Sequence, residues 1–282
     1  MKFAKPLMFT VFLALFALTA SAQEVYKYKL GNYEVISLNE GSMSHNESNI
    51  KLADTVKLDK YKKIDGWNEG ALNYFVVDTG KQKILFDAGL PGGNTVKMLA
   101  KAGLKPEDID IVMITHMHGD HIGGMLDEKG KAVFPKAKIY IAQEEAAYWG
   151  DTTKTGGGFT TARNVLDAYK ANTTLFSQKA KLEGIESIPT FGHTPGHTSF
   201  RVTSAGKSLY IWGDIVHAKI QFTDPDVYLI YDVDPAQAVK TRKQLMQQLA
   251  DSGEFFAGMH VVAPAVGMLK KASTGFEFVP GM

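Results

Sequence analysis

A dense group of metal-binding residue types lies in the middle of the chain, in the run HMHGDH at residues 116–121. Its four candidate ligands are His116, His118, Asp120 and His121. Imidazole nitrogens and carboxylate oxygens bind zinc and other divalent transition metals. The chain contains no Cys, which excludes disulfides, Cys-ligated zinc, iron–sulfur clusters and thiol nucleophiles. Any nucleophile must therefore be a hydroxyl, a carboxylate, a Lys, a His or a water molecule activated by a metal ion.

The segment directly before this run, residues 109–115 (IDIVMIT), is mostly apolar and predicts a buried strand. If the chain stays extended at the strand end, His116 and His118 point the same way, because side chains alternate with a period of two. Asp120 and His121 then lie on the following turn and point into the same space from another direction. The run therefore predicts two sets of ligands for two adjacent metal ions. The alternative is a solvated loop that is rich in His.

Three further candidate ligands follow later in the chain: His193 in GHTPGHT, Asp214 in WGD and His260 in GMH. Each of them lies in or near a predicted strand. A single His or Asp at such a position is more often structural than a ligand, so each signal is weak alone. Their order after the first run makes the combined signal strong.

The elements predicted around these residues alternate hairpins, buried strands and helices, which indicates an α/β fold with mixed sheets in one domain. Hairpins are predicted within residues 25–38 and 71–86. Residues 42–70 are polar and rich in turn formers, so we expect a long surface loop with some helix, in which His45 is solvated. Further predicted elements are a Gly-rich loop at 150–160, helices at about 161–171 and 235–250, and closing strands at 255–261 and 276–279.

Together with Asp87 in the segment LFDAG, these motifs resemble those of the metallo-β-lactamase-fold hydrolases over essentially all of residues 23–282. The resemblance implies an αβ/βα sandwich of four layers, in which two mixed β-sheets are flanked by helices and the metals lie at one edge between the sheets. The implied ligands are His116, His118 and His193 for one metal ion, Asp120, His121 and His260 for the second, and Asp214 as the bridge. Asp87 would then be a buried carboxylate that orients the His-rich run. His197 is expected to support a ligand or a turn.

The implied cofactor is a pair of divalent metal ions. Ligation by His and Asp alone suits zinc, and manganese, iron or cobalt would also fit. The charge of two such ions exceeds that of two carboxylates and one bridging hydroxide, because the His ligands are neutral. The resulting positive site favours substrates that develop negative charge at the reacting centre, as esters, lactones and phosphotriesters do. Asp120 is expected to orient the attacking hydroxide.

Within this family, the C-terminal third is similar to methyl parathion hydrolase and to secreted N-acyl homoserine lactonase-like enzymes. The similar segments are 133–149, 213–222, 234–245 and 257–267. A departure occurs at 262–267 (VAPAVG), where these relatives often have Phe-Pro-Gly. The implied activity is hydrolysis of a small-molecule lactone, ester or phosphotriester by a metal-bridging hydroxide, and related enzymes are often homodimers.

Three other functions remain open from the sequence. A β-lactam hydrolase is the nearest alternative, although β-lactamases of this fold typically have Cys or Ser where this chain has Asp214. A glyoxalase-II-like thioesterase is a further alternative, although such enzymes are usually cytosolic. A non-catalytic metal-binding module is the third. The presence of a suitable residue at all seven ligand positions argues against it.

Four residues are candidates for contact with the substrate. His217 lies three positions after Asp214, where N-acyl homoserine lactonases carry a Tyr that contacts the substrate carbonyl or the leaving group. His217 could donate a similar hydrogen bond, and a structural role in the pocket wall is the equal alternative. The candidates for an apolar wall are Trp149, Phe159 and Phe222, for each of which core packing is the stronger single expectation.

Residues 1–22 have the features of a secretory signal peptide. Lys2 and Lys5 form a positive start, residues 7–19 are almost entirely apolar, and Ala20-Ser21-Ala22 fits the cleavage rule, so cleavage is predicted before Gln23. The apolar run is shorter than the roughly 20 residues that span a bilayer. The hydrolase domain is then expected at 23–282, in the periplasm or outside the cell, without a membrane anchor.

The composition is that of an ordinary globular protein, with 282 residues of which 45% are hydrophobic and 22% charged. The net charge is +1, and without the two Lys of residues 1–22 the remaining chain has 29 basic residues against 30 acidic ones. This balance removes the electrostatic case for nucleic-acid binding, which depends on an excess of basic residues.

Overall fold

The structure is a computed structural model that describes residues 24–92, 94–177 and 179–282. The predicted signal peptide at residues 1–22 lies outside the described residues. Within the described ranges, no helix has both the length and the apolar character that crossing a membrane requires.

Sixteen strands and seven α-helices form the regular structure of the described residues. The strands are β1 Val25–Leu30, β2 Tyr33–Ser44, β3 Ile50–Lys51, β4 Glu69–Asp78, β5 Lys83–Phe86, β6 Ile111–Met113, β7 Lys138–Ala142, β8 Thr173–Phe176, β9 Lys181–Leu182, β10 Ile185–Pro189, β11 Thr198–Ser204, β12 Lys207–Ile211, β13 Tyr228–Leu229, β14 Phe255–Ala257, β15 Val266–Lys271 and β16 Phe276–Pro280. The helices are α1 Thr55–Tyr61, α2 Asn94–Lys101, α3 Gly119–Ile122, α4 Gln143–Gly150, α5 Gly157–Ala168, α6 Ile220–Thr223 and α7 Pro235–Ser252.

Two seven-stranded sheets contain most of these strands. The first has the order β1-β2-β4-β5-β6-β7-β8, the second has the order β16-β15-β14-β12-β11-β10-β9, and β3 pairs with β13 separately. The first sheet is antiparallel from β1 to β5 and parallel from β5 to β8. In the second sheet β12 and β14 are parallel and the other pairs are antiparallel. The prediction of two mixed sheets flanked by helices is confirmed.

Strand β4 is buried on both faces, and its alternating side chains define two layers of core. Phe75 and Val77 belong to one cluster with Phe200 of the second sheet, so this cluster fills the space between the sheets. Tyr74 and Val76 belong to another cluster, which includes side chains of α2, α4 and α5. Because successive side chains of a strand point to opposite faces, these helices cover the outer face of the first sheet. Helix α7 packs on the second sheet.

Strand β2 extends further than the sequence pattern predicts, through Ser44. The prediction of a surface loop from residue 42 is wrong here, because β2 continues to pair with β4 after a bulge between Asn39 and Gly41. The buried side-chain amide of Asn39 donates to Asn73 Oδ1 at 2.7 Å. Backbone pairing and this amide contact hold the strand together without an apolar pattern that the sequence could reveal.

Two other boundaries differ from prediction. Helix α5 begins at Gly157, four residues earlier than predicted. Arg163 of this helix donates to the carbonyls of Asp151 and Lys154 in the loop before it. Strand β14 ends at Ala257, because residues 258–265 fold into a turn in which Gly258 N donates to Ala265 O. His260 therefore lies in a loop beyond the end of the strand. The predicted start of α7 is confirmed by the Asp234 cap on Gln237 N.

Candidate metal centre

All seven predicted ligands lie at one edge of the sandwich, in the segments that follow β6, β10, β12 and β14. His118 directly precedes α3, and Asp120 and His121 lie in the first turn of that helix. The short helix redirects the chain immediately after the strand. This explains how ligands that are adjacent in the sequence can serve two neighbouring positions in space.

The first group of ligand atoms comes from His116, His118, His193 and Asp214, which lie within 4.8 Å of one another. His118 Nδ1 lies 3.0 Å from His116 Nε2 and 2.8 Å from His193 Nε2. Asp214 Oδ2 lies 3.6 Å from His116 Nε2 and 3.2 Å from His193 Nε2. Four donor atoms of the types that zinc prefers thus surround one point.

The second group comes from Asp120, His121 and His260, again within 4.8 Å. Asp120 Oδ2 lies 3.7 Å from His121 Nε2 and 3.3 Å from His260 Nε2. Asp214 joins this group as well, since its Oδ1 lies 3.1 Å from His121 Nε2 and its Oδ2 lies 3.1 Å from His260 Nε2. Asp214 is therefore the carboxylate that both groups share.

The distances within the two groups fit metal ligation. Ligand atoms at about 2.1 Å from one tetrahedral ion are about 3.4 Å apart, which lies within the range of separations seen here. His121 Nε2 and Asp214 Oδ1 are buried and, although near each other, have no hydrogen-bond partner of acceptable geometry among the described residues. Both atoms are thus available as metal ligands. This His/Asp cluster is suited to binding metal ions.

Carboxylates in the cluster change the protonation of its histidines when no metal is bound. Burial lowers the pKa of His193 and His260, but Asp214 and the other neighbouring carboxylates outweigh burial and raise these pKa values to about 9 and about 10. Burial and the nearby His193 lower the pKa of His118 to about 3. At pH 7 the metal-free chain therefore holds protons on His193 and His260 that a metal ion must displace.

Metal uptake at neutral pH is expected to release protons. His193 and His260 are protonated below their raised pKa values, so apparent metal affinity should rise with pH by about tenfold per pH unit for each proton released, between pH 6 and pH 8. Calorimetric titration of the metal-free protein with zinc, in two buffers of different ionisation enthalpy, counts these protons directly. Observed binding heats that are the same in both buffers, before any correction for buffer ionisation, would contradict the expectation.

Asp87 orients the His-rich run from the end of β5. Its carboxylate accepts hydrogen bonds from Thr115 N at 2.8 Å and from Thr115 Oγ1 at 2.7 Å, and its Oδ2 lies 2.7 Å from His121 Nδ1. The backbone of Asp87 has a φ of 58°, which is uncommon for a residue with a side chain. The contact to Nδ1 leaves His121 Nε2 to face the metal cluster.

His197 supports Asp214 through the backbone. Its Nε2 accepts a hydrogen bond from Asp214 N at 2.9 Å, and its Nδ1 lies 3.0 Å from Thr190 O. The nitrogen that could bind a metal is therefore occupied by an N–H donor. Gly213 has a φ of 63°, and a Cβ there would lie 2.5 Å from His197 Nε2, so this approach requires Gly.

Sequence reasoning missed Glu145, which joins the two loops that carry the three His of the first ligand group. This buried carboxylate of α4 accepts from Met117 N at 2.8 Å and from Gly196 N at 2.9 Å. It also accepts from Thr194 Oγ1 at 2.7 Å and from Trp149 Nε1 at 2.6 Å. No local pattern marks such a residue, because its partners lie on distant segments of the chain.

We expect Glu145→Gln to weaken metal binding by about 10–100-fold, as loss of an outer partner of metal ligands does. The amide NH₂ would face groups that are themselves donors, so the two loops would separate. Competition with a zinc-binding dye measures the affinity. Glu128→Gln, at an exposed position, is the control and should bind metal like the wild type; equal affinity of both variants would contradict the role of Glu145.

A second support that the sequence did not reveal lies behind His193. Asp232 Oδ1 is 2.8 Å from His193 Nδ1, and Arg242 Nη2 lies 3.8 Å from the other oxygen of Asp232. Arg242 is almost completely buried and donates to the carbonyls of Ile215, Pro225 and Val227. Helix α7 is in this way connected to a ligand of the cluster.

The loop that carries His260 is held by β4. His260 Nδ1 lies 2.8 Å from Ala71 O, which directs Nε2 towards the cluster. Asn73 Nδ2 lies 2.8 Å from Met259 O and 2.8 Å from Val261 O, on either side of His260. These contacts link the first sheet to a ligand that follows a strand of the second.

The His/Asp cluster lies in the wall of a pocket of about 350 Å³. Besides ligands, its lining contains Met43, His45, His217 and Tyr231. His217 Nε2 lies 3.1 Å from Asp214 Oδ2, and Nδ1 has no hydrogen-bond partner among the described residues. His45 is only 8% exposed, so the expectation that it is solvated is wrong. The extension of β2 carries it from the predicted loop into this pocket.

The three aromatic candidates occupy different places. Trp149 lies next to a ligand, with its ring centroid 5.2 Å from that of His118, and Phe159 packs on Trp149 at 4.7 Å. Phe222 lies in the wall of a second cavity of about 450 Å³, to which His260 also contributes. Trp149 and Phe222 are also members of the two large core clusters. Thus none of the three lines the pocket at the metal cluster itself.

Comparison with known proteins gives the family. The sequence model of the Metallo-beta-lactamase superfamily matches residues 67–251, a span that includes six of the seven ligands. The chain belongs to the metallo-β-lactamase superfamily. As a member of this superfamily of hydrolases, it has the fold and the His/Asp cluster described above.

Two solved structures are similar to this superfamily member over nearly their whole length. The hydrolase AbOPH of the beta lactamase superfamily is 27% identical with a TM-score of 0.85, covering 93% of this chain and 99% of that chain. AidC, described as a dizinc quorum-quenching lactonase in complex with a product, is 27% identical with a TM-score of 0.79, covering 92% and 97%.

Curated relatives match shorter parts of the chain. The exodeoxyribonuclease WalJ of Streptococcus pneumoniae is 40% identical over 81 residues, which are 28% of this chain and 30% of WalJ. The probable metallo-hydrolase YqgX of Bacillus subtilis is 29% identical over 147 residues, which are 51% of this chain and 64% of YqgX. The chain thus spans less than two thirds of either relative.

Proposed function

We propose that this protein is a dinuclear metallohydrolase that cleaves a lactone or a related ester, with a phosphotriester as a further substrate. The observation that carries the proposal is the pair of ligand groups joined by Asp214, in the wall of a pocket large enough for a small molecule. The likeness to AidC, a dizinc lactonase, supports both the metal pair and the substrate class. Zinc is the metal we propose, with manganese, iron or cobalt as alternatives.

We propose the following roles for the residues of the site. His116, His118 and His193 would hold one ion, Asp120, His121 and His260 the other, and Asp214 both. Bound divalent ions would lower the pKa of a water molecule and stabilise negative charge on the substrate. The side chain of Asp120 is 31% exposed whereas that of Asp214 is 2% exposed, so Asp120 is the carboxylate that can hold the attacking water in position.

We propose that His217 contacts the substrate. Its backbone is fixed on both sides, since His217 N donates to Gln221 Oε1 at 2.7 Å and its carbonyl lies 2.9 Å from His45 Nε2. Its ring stacks on that of His260 with centroids 5.2 Å apart. A rigid ring beside the metal cluster can donate a hydrogen bond to the carbonyl or the leaving oxygen of a substrate.

A substrate panel on metal-reconstituted protein tests the proposal. We expect about two metal ions per chain by elemental analysis, and hydrolysis of lactones in preference to an aryl ester, a phosphotriester and a chromogenic cephalosporin. Protein treated with a chelator is the matched control and should be inactive until metal returns. Fewer than one metal ion per chain after reconstitution, or turnover of the cephalosporin alone, would contradict it.

We also propose that the protein is exported to the periplasm or the medium with cleavage before Gln23. The charge, apolar run and small residues of 1–22 support export. Cell fractionation with N-terminal sequencing is the test. A cytoplasmic protein that retains Met1 would refute export and leave the chemistry untouched.

A further inference from the structure

His45 is a polar group of the pocket that belongs to neither group of predicted metal ligands. It follows β2 and lines the pocket together with the ligands Asp120, Asp214 and His260. Its backbone is fixed by Asn68, since His45 N donates to Asn68 O at 2.9 Å and Asn68 Nδ2 donates to His45 O at 2.6 Å. The ring is therefore held in a defined position beside the metal cluster.

The hydrogen bond of the His45 ring determines which nitrogen carries the proton. His45 Nε2 lies 2.9 Å from the backbone carbonyl of His217. A carbonyl oxygen only accepts, so Nε2 must carry the hydrogen, and in the neutral ring Nδ1 is then an acceptor. Burial lowers the pKa of His45, which favours the neutral ring. Nδ1 has no hydrogen-bond partner among the described residues.

The distances around His45 define what could reach this acceptor. Its ring centroid lies 6.3 Å from that of His217 and 6.4 Å from those of His260 and Tyr231. If the carbonyl of a small molecule lies at the His/Asp cluster, the atoms of that molecule that are a few bonds from the carbonyl would lie beside His45. The neighbouring residues Asp120, Asp214 and His260 are proposed as metal ligands, and the hydroxyl of Tyr231 accepts from Asn49 Nδ2. His45 Nδ1 is therefore an acceptor that remains for a substrate.

We propose that His45 Nδ1 accepts a hydrogen bond from an N–H group of the substrate, and so selects lactones or esters that carry an amide next to the scissile carbonyl. This inference rests on the proposed hydrolase function and deepens it. A pocket that presents an acceptor to a buried donor discriminates against a substrate that lacks the donor, because the acceptor is then left without a partner.

Two variants separate the substrate contact from the structural one. In His45→Gln the side-chain amide nitrogen can take the place of Nε2 and still donate to His217 O, but the acceptor at Nδ1 is lost. In His45→Asn the side-chain oxygen lies near the position of Nδ1, while the bond to His217 O is lost. A structural role would make Asn the more damaging change, and a substrate role would make Gln the more damaging one.

The test compares N-hexanoyl-homoserine lactone, which has the amide N–H, with an alkyl-substituted γ-butyrolactone, which lacks it. For His45→Gln we expect kcat/KM on the amide lactone to fall by about 5–30-fold, with less than a twofold change on the alkyl lactone. His45→Asn should retain most of the preference for the amide lactone. The metal content of both variants should equal that of the wild type, and the melting temperature should fall only in His45→Asn, which loses the hydrogen bond to His217 O.

The outcomes distinguish this inference from the function on which it rests. If His45→Gln lowers both lactone activities equally, or neither, the proposed contact is wrong while lactone hydrolysis stands. If metal-loaded wild-type protein hydrolyses neither lactone, the proposed function fails and the contact fails with it. If the preference for the amide lactone falls more in His45→Asn than in His45→Gln, the role of His45 is structural only.

Discussion

Asp214→Ala is expected to reduce the metal content to less than one ion per chain and to lower hydrolysis by at least about 1,000-fold. The reason is that Asp214 lies within 3.1–3.6 Å of ligand nitrogens in both groups, so its removal affects both positions at once. In the first group its negative charge has no substitute, since Asp232 faces the far side of His193. Elemental analysis and the lactone assay on the same preparation provide the measurement.

Asp226→Ala is the matched control for this variant. Asp226 has a side chain that is 54% exposed and pairs with Lys243 on the surface, so its loss should leave metal content and activity unchanged. Circular dichroism of both variants shows whether the fold is retained. A folded Asp214→Ala protein that binds two metal ions and hydrolyses lactones would show that Asp214 does not bridge the two groups.

Arg242→Met is expected to lower the free energy of unfolding by about 3–5 kcal/mol, the cost of breaking a buried charged pair by removing one partner. Met has a similar length but no donor. The change leaves the carbonyls of Ile215 and Pro225 without the guanidinium donor, and it leaves Asp232 without its nearby cation. The carbonyl of Val227 keeps only the bond from Gln221 Nε2. Urea unfolding of the metal-free protein measures this loss, and weaker zinc binding should accompany it, because Asp232 positions His193.

Lys243→Met tests the same helix at the next position. Lys243 is half-exposed and contacts only the surface carboxylate of Asp226 among the described residues, so we expect a change of less than about 0.5 kcal/mol. A similar small change for Arg242→Met would mean that the buried guanidinium contributes little. If the Arg242→Met protein is destabilised but keeps its zinc affinity, α7 does not contribute to metal binding through Asp232.

Several parts of the fold and of the site could be predicted from the sequence because their signals are local. The apolar segment before His116 and the hairpin of β4 and β5 follow from the side-chain period and the turn residues. The cap at Asp234 predicts the start of α7. The resemblance supplied the two mixed sheets and the order of the predicted ligands, and the structure brings all seven of these residues together.

The element boundaries that were predicted wrongly lie where the sequence has no local pattern of apolar or turn-forming residues. Strand β2 continues through polar residues because it pairs with β4, and no hydrophobic alternation marks residues 39–44. His45 was therefore assigned to solvent, although the longer strand carries it to the pocket. The same extension explains why a residue before β3 meets His217, which lies 172 positions later in the chain.

The amino-acid sequence by itself determined the chemistry that is available: His and Asp ligands at fixed short spacings and no thiol. Only the tertiary structure decided which groups hold those ligands in place. Glu145, Asp232, Arg242 and Asn73 act through hydrogen bonds to segments far away in the chain, and Asp214 meets ligands from three loops. Such contacts depend on how two sheets pack and on where each strand ends. Neither can be predicted from residue types at short spacing.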